Sequence, residues 1–277
     1  MPIELILITI TLLVLAAAAL FDLKSREIPD TLSYGFIATV LGIRLIYSFY
    51  YDFSYILYGL AGLGIFYLFG LIMYYSKQWG GGDSKIFIGI GIAFADFYLG
   101  EFPLLLILLL IVFFVGTIYA FIWSIALFIK HYKIMVKSLK DKLRKSRKLR
   151  LTLIPILIIL LFFVHIILGN PDLALVTDLL VIATFLLLYL IPFIRIVEKH
   201  GFTKDMPLSK VTEGDWLAED VRHNGKILVS QRNICLEKEH LALFKKNKIR
   251  KVKIKYGIPF VPAIFIGTII TFIVYFI

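Results

Sequence analysis

Two aspartates carry the chemistry that this sequence offers. Asp83 closes a run of three glycines, Trp79-Gly80-Gly81-Gly82-Asp83-Ser84-Lys85, at the mouth of an apolar stretch; Asp22 stands at the end of the first apolar stretch. Two carboxylates brought close together cannot both ionise cheaply, so one keeps a proton while the other stays charged. Such a pair can hold a water between its members. The charged member takes the water's proton as the oxygen attacks an amide carbon, and the protonated one polarises the carbonyl and later supplies the leaving amine. This chemistry needs no metal, no cofactor and no nucleophilic side chain. The sequence holds no convincing Ser–His–Asp, Cys–His or His-Glu-x-x-His set to compete with it. Gly80, Gly81 and Gly82 suit an active-site loop, because they let an extended peptide approach the backbone and let the loop adjust. Taken singly, each aspartate has a plainer reading: Asp83 as a helix cap, Asp22 as a partner of Lys24 or Arg26. Their joint occurrence at one membrane face, on separate helices, is what favours chemistry.

The elements that must position them are membrane helices. Hydrophobic residues fill 60% of the 277 positions, which excludes a soluble globular protein. Apolar runs near the ~20 residues that cross a ~30 Å hydrocarbon core recur along the chain. Eight stand out: Ile3–Leu20, Leu32–Tyr51, Tyr55–Tyr75, Ile86–Leu99, Phe102–Ile129, Leu151–Leu168, Leu173–Ile194 and Ile258–Ile277. Unbroken runs point to helices, since barrel strands alternate. The expected fold is an all-α polytopic membrane protein of six to eight transmembrane helices with a small cytoplasmic α+β domain. Five parts are expected: a membrane catalytic core over 1–130, a basic cytoplasmic segment over 131–150, an additional transmembrane hairpin over 151–197, the small domain over 198–257 and a C-terminal transmembrane helix over 258–277.

Charge placement sets the expected orientation. The first apolar run lacks the basic start of a secretory signal; its only early charge is Glu4, and Lys24 and Arg26 follow it. That order argues for a retained helix with its N-terminus outside. The inside stretches are then 21–31, 76–85, 130–150 and 195–257. They or their edges hold 29 of the 30 Lys and Arg residues, all but Arg44. This is the positive-inside pattern, in a multi-pass protein of the plasma membrane. The net charge of +11 therefore reads as topology and attraction to an anionic inner leaflet, not nucleic-acid binding. The ten Lys and Arg against one Asp in Lys130–Arg150 read the same way, as a solvated helix or loop on that leaflet. The single cysteine, Cys235, excludes internal disulfides and a multi-cysteine zinc site, and no histidines pair at metal-ligand spacing.

Local signals refine this frame. Ile28-Pro29 marks a helix break, and Asp30-Thr31 can cap the second helix. Arg44 lies well inside that helix, where a charge is costly unless it is paired or snorkels outward. Gly59, Gly62, Gly64 and Gly70 in the third run, and Gly89 and Gly91 in the fourth, read as close-packing positions. From Asp83 to Leu99 a helix spans ~25 Å, slightly short of a full crossing. A turn at Gly169-Asn170-Pro171 joins the sixth and seventh runs. In the polar region, Leu217–Val221 and Ile227–Val229 read as strands around the turn His223-Asn224-Gly225-Lys226. Glu237–Asn247 reads as a helix and Arg250–Lys255 as a further strand. Pro259 sits near the first turn of the last helix.

The pattern Asp22…Ile28-Pro29, followed by Gly80-Gly81-Gly82-Asp83-Ser84-Lys85, resembles the type IV prepilin peptidase family of Gly-x-Gly-Asp membrane aspartic proteases. Within it the chain is most similar to the archaeal preflagellin and prepilin peptidases, and Gly257-Ile258-Pro259-Phe260-Val261-Pro262 resembles the last helix of those members. The resemblance implies that Asp22 and Asp83 are the catalytic aspartates. It also implies substrates that are pilin or archaellin precursors, cut on the cytoplasmic side between a short basic leader and the hydrophobic helix. Two departures stand out. Asp30 replaces the Asn that many relatives have after the Pro, and the 151–194 hairpin exceeds the six-helix archaeal pattern. Bacterial relatives that methylate the new N-terminus often carry a paired-cysteine domain, which is missing here, so peptidase activity alone is expected. A basic leader must be read against a basic inner face, with Glu27 and Asp30, or Asp215, Glu219 and Asp220, as the local acids. Two alternatives stand beside this reading. A presenilin or signal-peptide-peptidase type protease shares Gly-x-Gly-Asp, but its first aspartate lies deep in a helix. A carboxylate-pair transporter would place polar residues at mid-membrane in both halves.

Overall fold

The computed structural model describes residues 3–76, 78–163, 171–223, 225–231 and 235–277. Helices dominate. In chain order they are α1 (Ile3–Ser25), α2 (Asp30–Tyr50), α3 (Ser54–Tyr75), α4 (Gly81–Ala93), α5 (Leu104–Lys130), α6 (Tyr132–Lys145), α7 (Arg147–Phe162), α8 (Pro171–Gly201), α9 (Lys238–Lys246) and α10 (Val261–Phe276). Among the described residues, five helices are long and apolar enough to cross a membrane: α1, α2, α3, α5 and α8, the last over Leu175–Gly201. The apolar parts of α7 and α10 are shorter. Gly169 and Asn170 of the expected turn, the end of the sixth apolar run and Asn224 lie outside the described residues, while Pro171 opens α8.

The fourth run departs most from expectation. Its helix stops at Ala93 instead of Leu99, because Tyr98–Leu99 (β1) pairs with Phe102–Pro103 (β2) in a small hairpin that turns the chain into α5. Thirteen residues make a helix only ~20 Å long. α4 is correspondingly the most enclosed element, with Ile86, Phe87, Ile90, Ile92 and Ala93 fully buried.

Small residues decide how closely it is enclosed. A Cβ on Gly62 of α3 would lie 2.1 Å from the Gly91 carbonyl oxygen of α4, and one on Gly89 would lie 2.3 Å from the Phe36 ring of α2. α4 is thus clasped between α3 and α2 at van der Waals contact, the route by which helices gain packing energy where lipid is as apolar as they are. Gly64, expected to pack in the same way, faces open space.

Arg44 is a buried charge inside this bundle. Its guanidinium is fully enclosed, donates to the carbonyls of Tyr55 and Ala93 (2.9 Å each), and pairs with the carboxylate of Asp96. It does not snorkel. The last turn of α4 exposes carbonyls with no helical partner, and Arg44 satisfies one of them while its aliphatic part fills the space beside Gly59. The remaining core helix, α10, lies between α1 and α5, with Gly267 against Val112.

The polar region forms a small α+β unit. Thr203–Pro207 (β3) and Trp216–Leu217 (β4) flank Lys251–Lys255 (β7) in an antiparallel sheet, and Val221–His223 (β5) pairs with Lys226–Val229 (β6). Val211, Leu217, Val229, Leu236, Phe244, Val252 and Ile254 are its core. The expected 217–221 strand divides at Ala218. Its start pairs with β7, while the Asp220 carboxylate accepts the Gln231 N–H and opens the hairpin. α6 lays Met135 against Ile196 and Val197 of α8 and turns its lysines outward.

Candidate active site

α1 runs unbroken through Asp22 and ends at Ser25, as the Pro29 break requires. The chain then turns through a left-handed residue, Arg26 (φ 60°). The Arg26 guanidinium donates to the Gly257 carbonyl (3.3 Å) and lies over the Tyr256 ring at 5.2 Å. The simple ion pair between Asp22 and Lys24 or Arg26 does not form among the described residues. Asp22 is instead buried, 6% exposed, and accepts the backbone N–H of Val261 at 2.9 Å. Val261 is the first residue of α10, so the carboxylate sits at a helix N-terminus, where unpaired N–H groups and the helix dipole favour negative charge.

Asp83 is held from the other side. Gly80 precedes α4 in extended conformation (φ −73°, ψ 164°), and its N–H donates to Asp83 Oδ2 at 3.0 Å. Asp83 therefore lies inside the first turn and reaches back, the N3 position of a capping arrangement. Behind it Trp79 is buried in an aromatic cluster, its ring 4.5 Å from Phe87, 5.4 Å from Phe69 and 5.7 Å from Phe260. Trp79 thereby pins the start of the glycine run, and Phe260 ties that same cluster to the chain that delivers Val261. Gly82 lies tightly against Ile28: a Cβ there would lie 3.0–3.2 Å from the Ile28 side chain, which would have to give by a few tenths of an ångström. The two sequence signals, Ile28-Pro29 and Gly80–Asp83, are in contact.

Asp83 precedes the apolar stretch that begins at Ile86. It keeps some exposed surface, yet the protein packed around it desolvates the carboxyl and pushes its pKa up to about 7. The Asp22 charge adds to the rise and the Gly80 N–H opposes it. The two aspartates are thus within electrostatic reach of one another, at one end of the bundle, on separate helices. Among the described residues no three His, Cys, Asp or Glu side chains gather as a metal site.

The acids expected to read a basic leader are placed unevenly. Glu27 is exposed beside the site. Asp30 does not cap α2: it lies in the first turn, and its carboxylate pairs with Lys85, whose ammonium also sits 4.7 Å over the Tyr34 ring. Asp215 and Asp220 bind backbone N–H groups of their own turns, and Glu219 pairs with Lys253. The contribution of Phe260 and Val261 was not readable as chemistry, since neither carries a functional group. The Gly257–Pro262 run was the only local signal there.

The stretch from residue 9 to residue 121, which runs from α1 into α5 and holds both aspartates, matches the model of the type IV leader peptidase family. This segment belongs to that family. Searches among curated proteins and among solved structures found no match. That match and the apolar helices support a leader-peptidase-like protease of a membrane. α6, α7, α8 and the small α+β unit lie outside the leader peptidase segment, as does α10, although α10 touches Asp22.

Proposed function

We propose that the protein is an aspartic endopeptidase that removes the short basic leader from pilin or archaellin precursors at the cytoplasmic face of the plasma membrane. The observation that carries this reading is the electrostatic coupling of Asp22 and Asp83 across two helices of the leader peptidase segment. Asp83, desolvated, keeps the shared proton. Asp22, at the N-terminus of α10, is the charged member.

A water between them loses its proton to Asp22 as its oxygen bonds to the scissile carbonyl carbon. The carbonyl π pair moves onto oxygen, which the Asp83 proton stabilises. As the tetrahedral carbon collapses, Asp83 passes its proton to the nitrogen and the C–N bond breaks, giving a leader carboxylic acid and a new N-terminal amine; the proton taken from water then moves from Asp22 to Asp83 and resets the pair. Glu27, exposed next to Asp22, is the acid best placed for a basic leader; Asp30 would join it only by releasing Lys85. The basic face of α6 rests on an anionic leaflet and holds the α+β unit near the site.

The test is cleavage of a tagged precursor, a basic leader joined to a hydrophobic segment, in membranes carrying wild type, Asp22→Asn or Asp83→Asn. Trimming by wild type alone, with both variants inserted, is the expected result. Trimming by both variants would reduce the aspartates to a cap and a helix-terminus partner, and the protease mechanism would fall. Product analysis separates hydrolysis from transport.

A further inference from the structure

α5 borders the site on the side of α10. A Cβ on its Gly116 would lie 2.7 Å from the Phe260 ring, so the two are in tight contact. Phe260 precedes Val261, whose N–H is on Asp22. Tyr119 stands three residues beyond Gly116, on the same face of α5 and one turn along. That turns it toward the Phe260–Val261 side of the site, and its hydroxyl is within electrostatic reach of both Asp22 and Arg26.

The hydroxyl is buried and has no hydrogen-bond partner among the described residues. The same is true of Nε1 of Trp123, one turn further along, whose ring is 5.8 Å from that of Tyr119. An unpaired buried donor is unfavourable, because the group has left water and gained nothing in exchange. A phenylalanine at 119 would fill the same space without that cost. The other two atoms in this state, Thr11 Oγ1 and Arg44 Nε, are on α1 and α2. Among the described residues, only Tyr119 and Trp123 place two orphaned donors on one wall, with the Tyr119 hydroxyl in electrostatic reach of a candidate catalytic carboxylate. Such a wall is complete when an acceptor arrives, and the acceptors of an extended peptide are its carbonyl oxygens.

We propose that the Tyr119 hydroxyl is a catalytic hydrogen-bond donor to the scissile carbonyl oxygen as that oxygen becomes the tetrahedral oxyanion. The assignment rests on the dyad reading above. When water adds to the carbonyl carbon and Asp22 takes its proton, the negative charge that develops on oxygen meets the Asp83 proton from α4 and the Tyr119 O–H from α5. Tyr119 lends a hydrogen bond and gives up no proton, so it is unchanged when the C–N bond breaks. Trp123 Nε1, further from Gly116, is placed for the next carbonyl of the extended peptide. Donors aimed at developing charge act on the transition state more than on the bound substrate, so they raise kcat and leave KM nearly alone.

The experiment uses the full chain in lipid nanodiscs, the tagged precursor, and wild type beside Tyr119→Phe, with Asp22→Asn and Asp83→Asn as controls. Tyr119→Phe is expected to lower kcat on the order of 10²-fold, with KM and thermal melting close to wild type. A second arm measures a precursor peptide carrying a statine hydroxyl at the scissile position against its deoxy counterpart. Wild type prefers the hydroxyl, and Tyr119→Phe loses that preference by tenfold or more, roughly one donor's worth of binding. A Tyr119→Phe kcat within about tenfold of wild type, a loss confined to KM, or an unchanged statine preference overturns the assignment while the dyad reading stands. Cleavage by the aspartate variants overturns both.

Discussion

Gly62→Ala is the sharpest test of how the bundle positions Asp83. The new methyl carbon would stand 2.1 Å from the Gly91 carbonyl oxygen and 2.9 Å from the Ala95 Cβ. Ordinary contact between such atoms begins near 3.3 Å, so α3 and α4 must separate by about 1 Å. α4 has no slack on its far side, because the Phe36 ring already occupies the place of a Gly89 side chain. The displacement therefore reaches the N-terminal turn of α4, eight residues or ~12 Å away, as a rigid-body shift of Asp83 relative to Asp22. A misplacement of that size costs on the order of 10² in turnover. Gly64→Ala is the matched control: it lies on the same helix, faces open space, and Ala there favours the helix by up to ~1 kcal/mol over Gly. Precursor cleavage and thermal melting of both variants in detergent make the assay. Gly62→Ala should lose turnover and melt lower, while Gly64→Ala keeps turnover and melts the same or higher. Equal turnover in the two variants refutes the claim that the α3–α4 contact sets the height of Asp83.

Two further predictions concern charge. The folded protein holds a proton on Asp83 that the unfolded chain releases between about pH 4 and about pH 7. Wild-type stability therefore falls as pH rises through that window, and Asp83→Asn removes the fall. Three pH units set a ceiling of about 4 kcal/mol, which water at the exposed edge of the carboxyl lowers to roughly half. Asp83→Asn should melt above wild type at pH 8 and alike at pH 4, wild-type cleavage should decline above pH 7, and parallel melting curves across that range would refute the desolvated carboxyl. In the Arg44–Asp96 pair, Arg44→Met leaves a carboxylate without its cation and should cost about 3–5 kcal/mol. Adding Asp96→Asn should restore part of it; a double-mutant cycle with no coupling would sink the pairing.

The helices and the height of Asp22 were legible because apolar length, the Pro29 break and the basic clusters are all local signals. Asp83 was legible as a carboxylate but not as an N3 residue, since that depends on where Gly80 stops being extended. Arg44 was visible as a misplaced charge, whereas its partner Asp96 was hidden inside an apolar run that read as continuous helix to Leu99. β3 escaped notice because Thr203–Pro207 has no apolar alternation; β7 recruits it through backbone pairing, with Met206 as its one apolar contact to the core. Val261 escaped because the sequence reports side chains, and its contribution to the site is a main-chain N–H.

The bond from Val261 to Asp22 joins residues 239 positions apart. It has a consequence for biosynthesis. α1 through α5 can gather in the bilayer as they leave the ribosome, but Asp22 gains its donor only after the 131–257 excursion has been made and α10 has wedged between α1 and α5. Until then the carboxylate faces a gap at the lipid boundary, and the aromatic cluster lacks Phe260. The candidate site is therefore completed only once α10 has been made, and a chain that has reached only α5 holds an unfinished one.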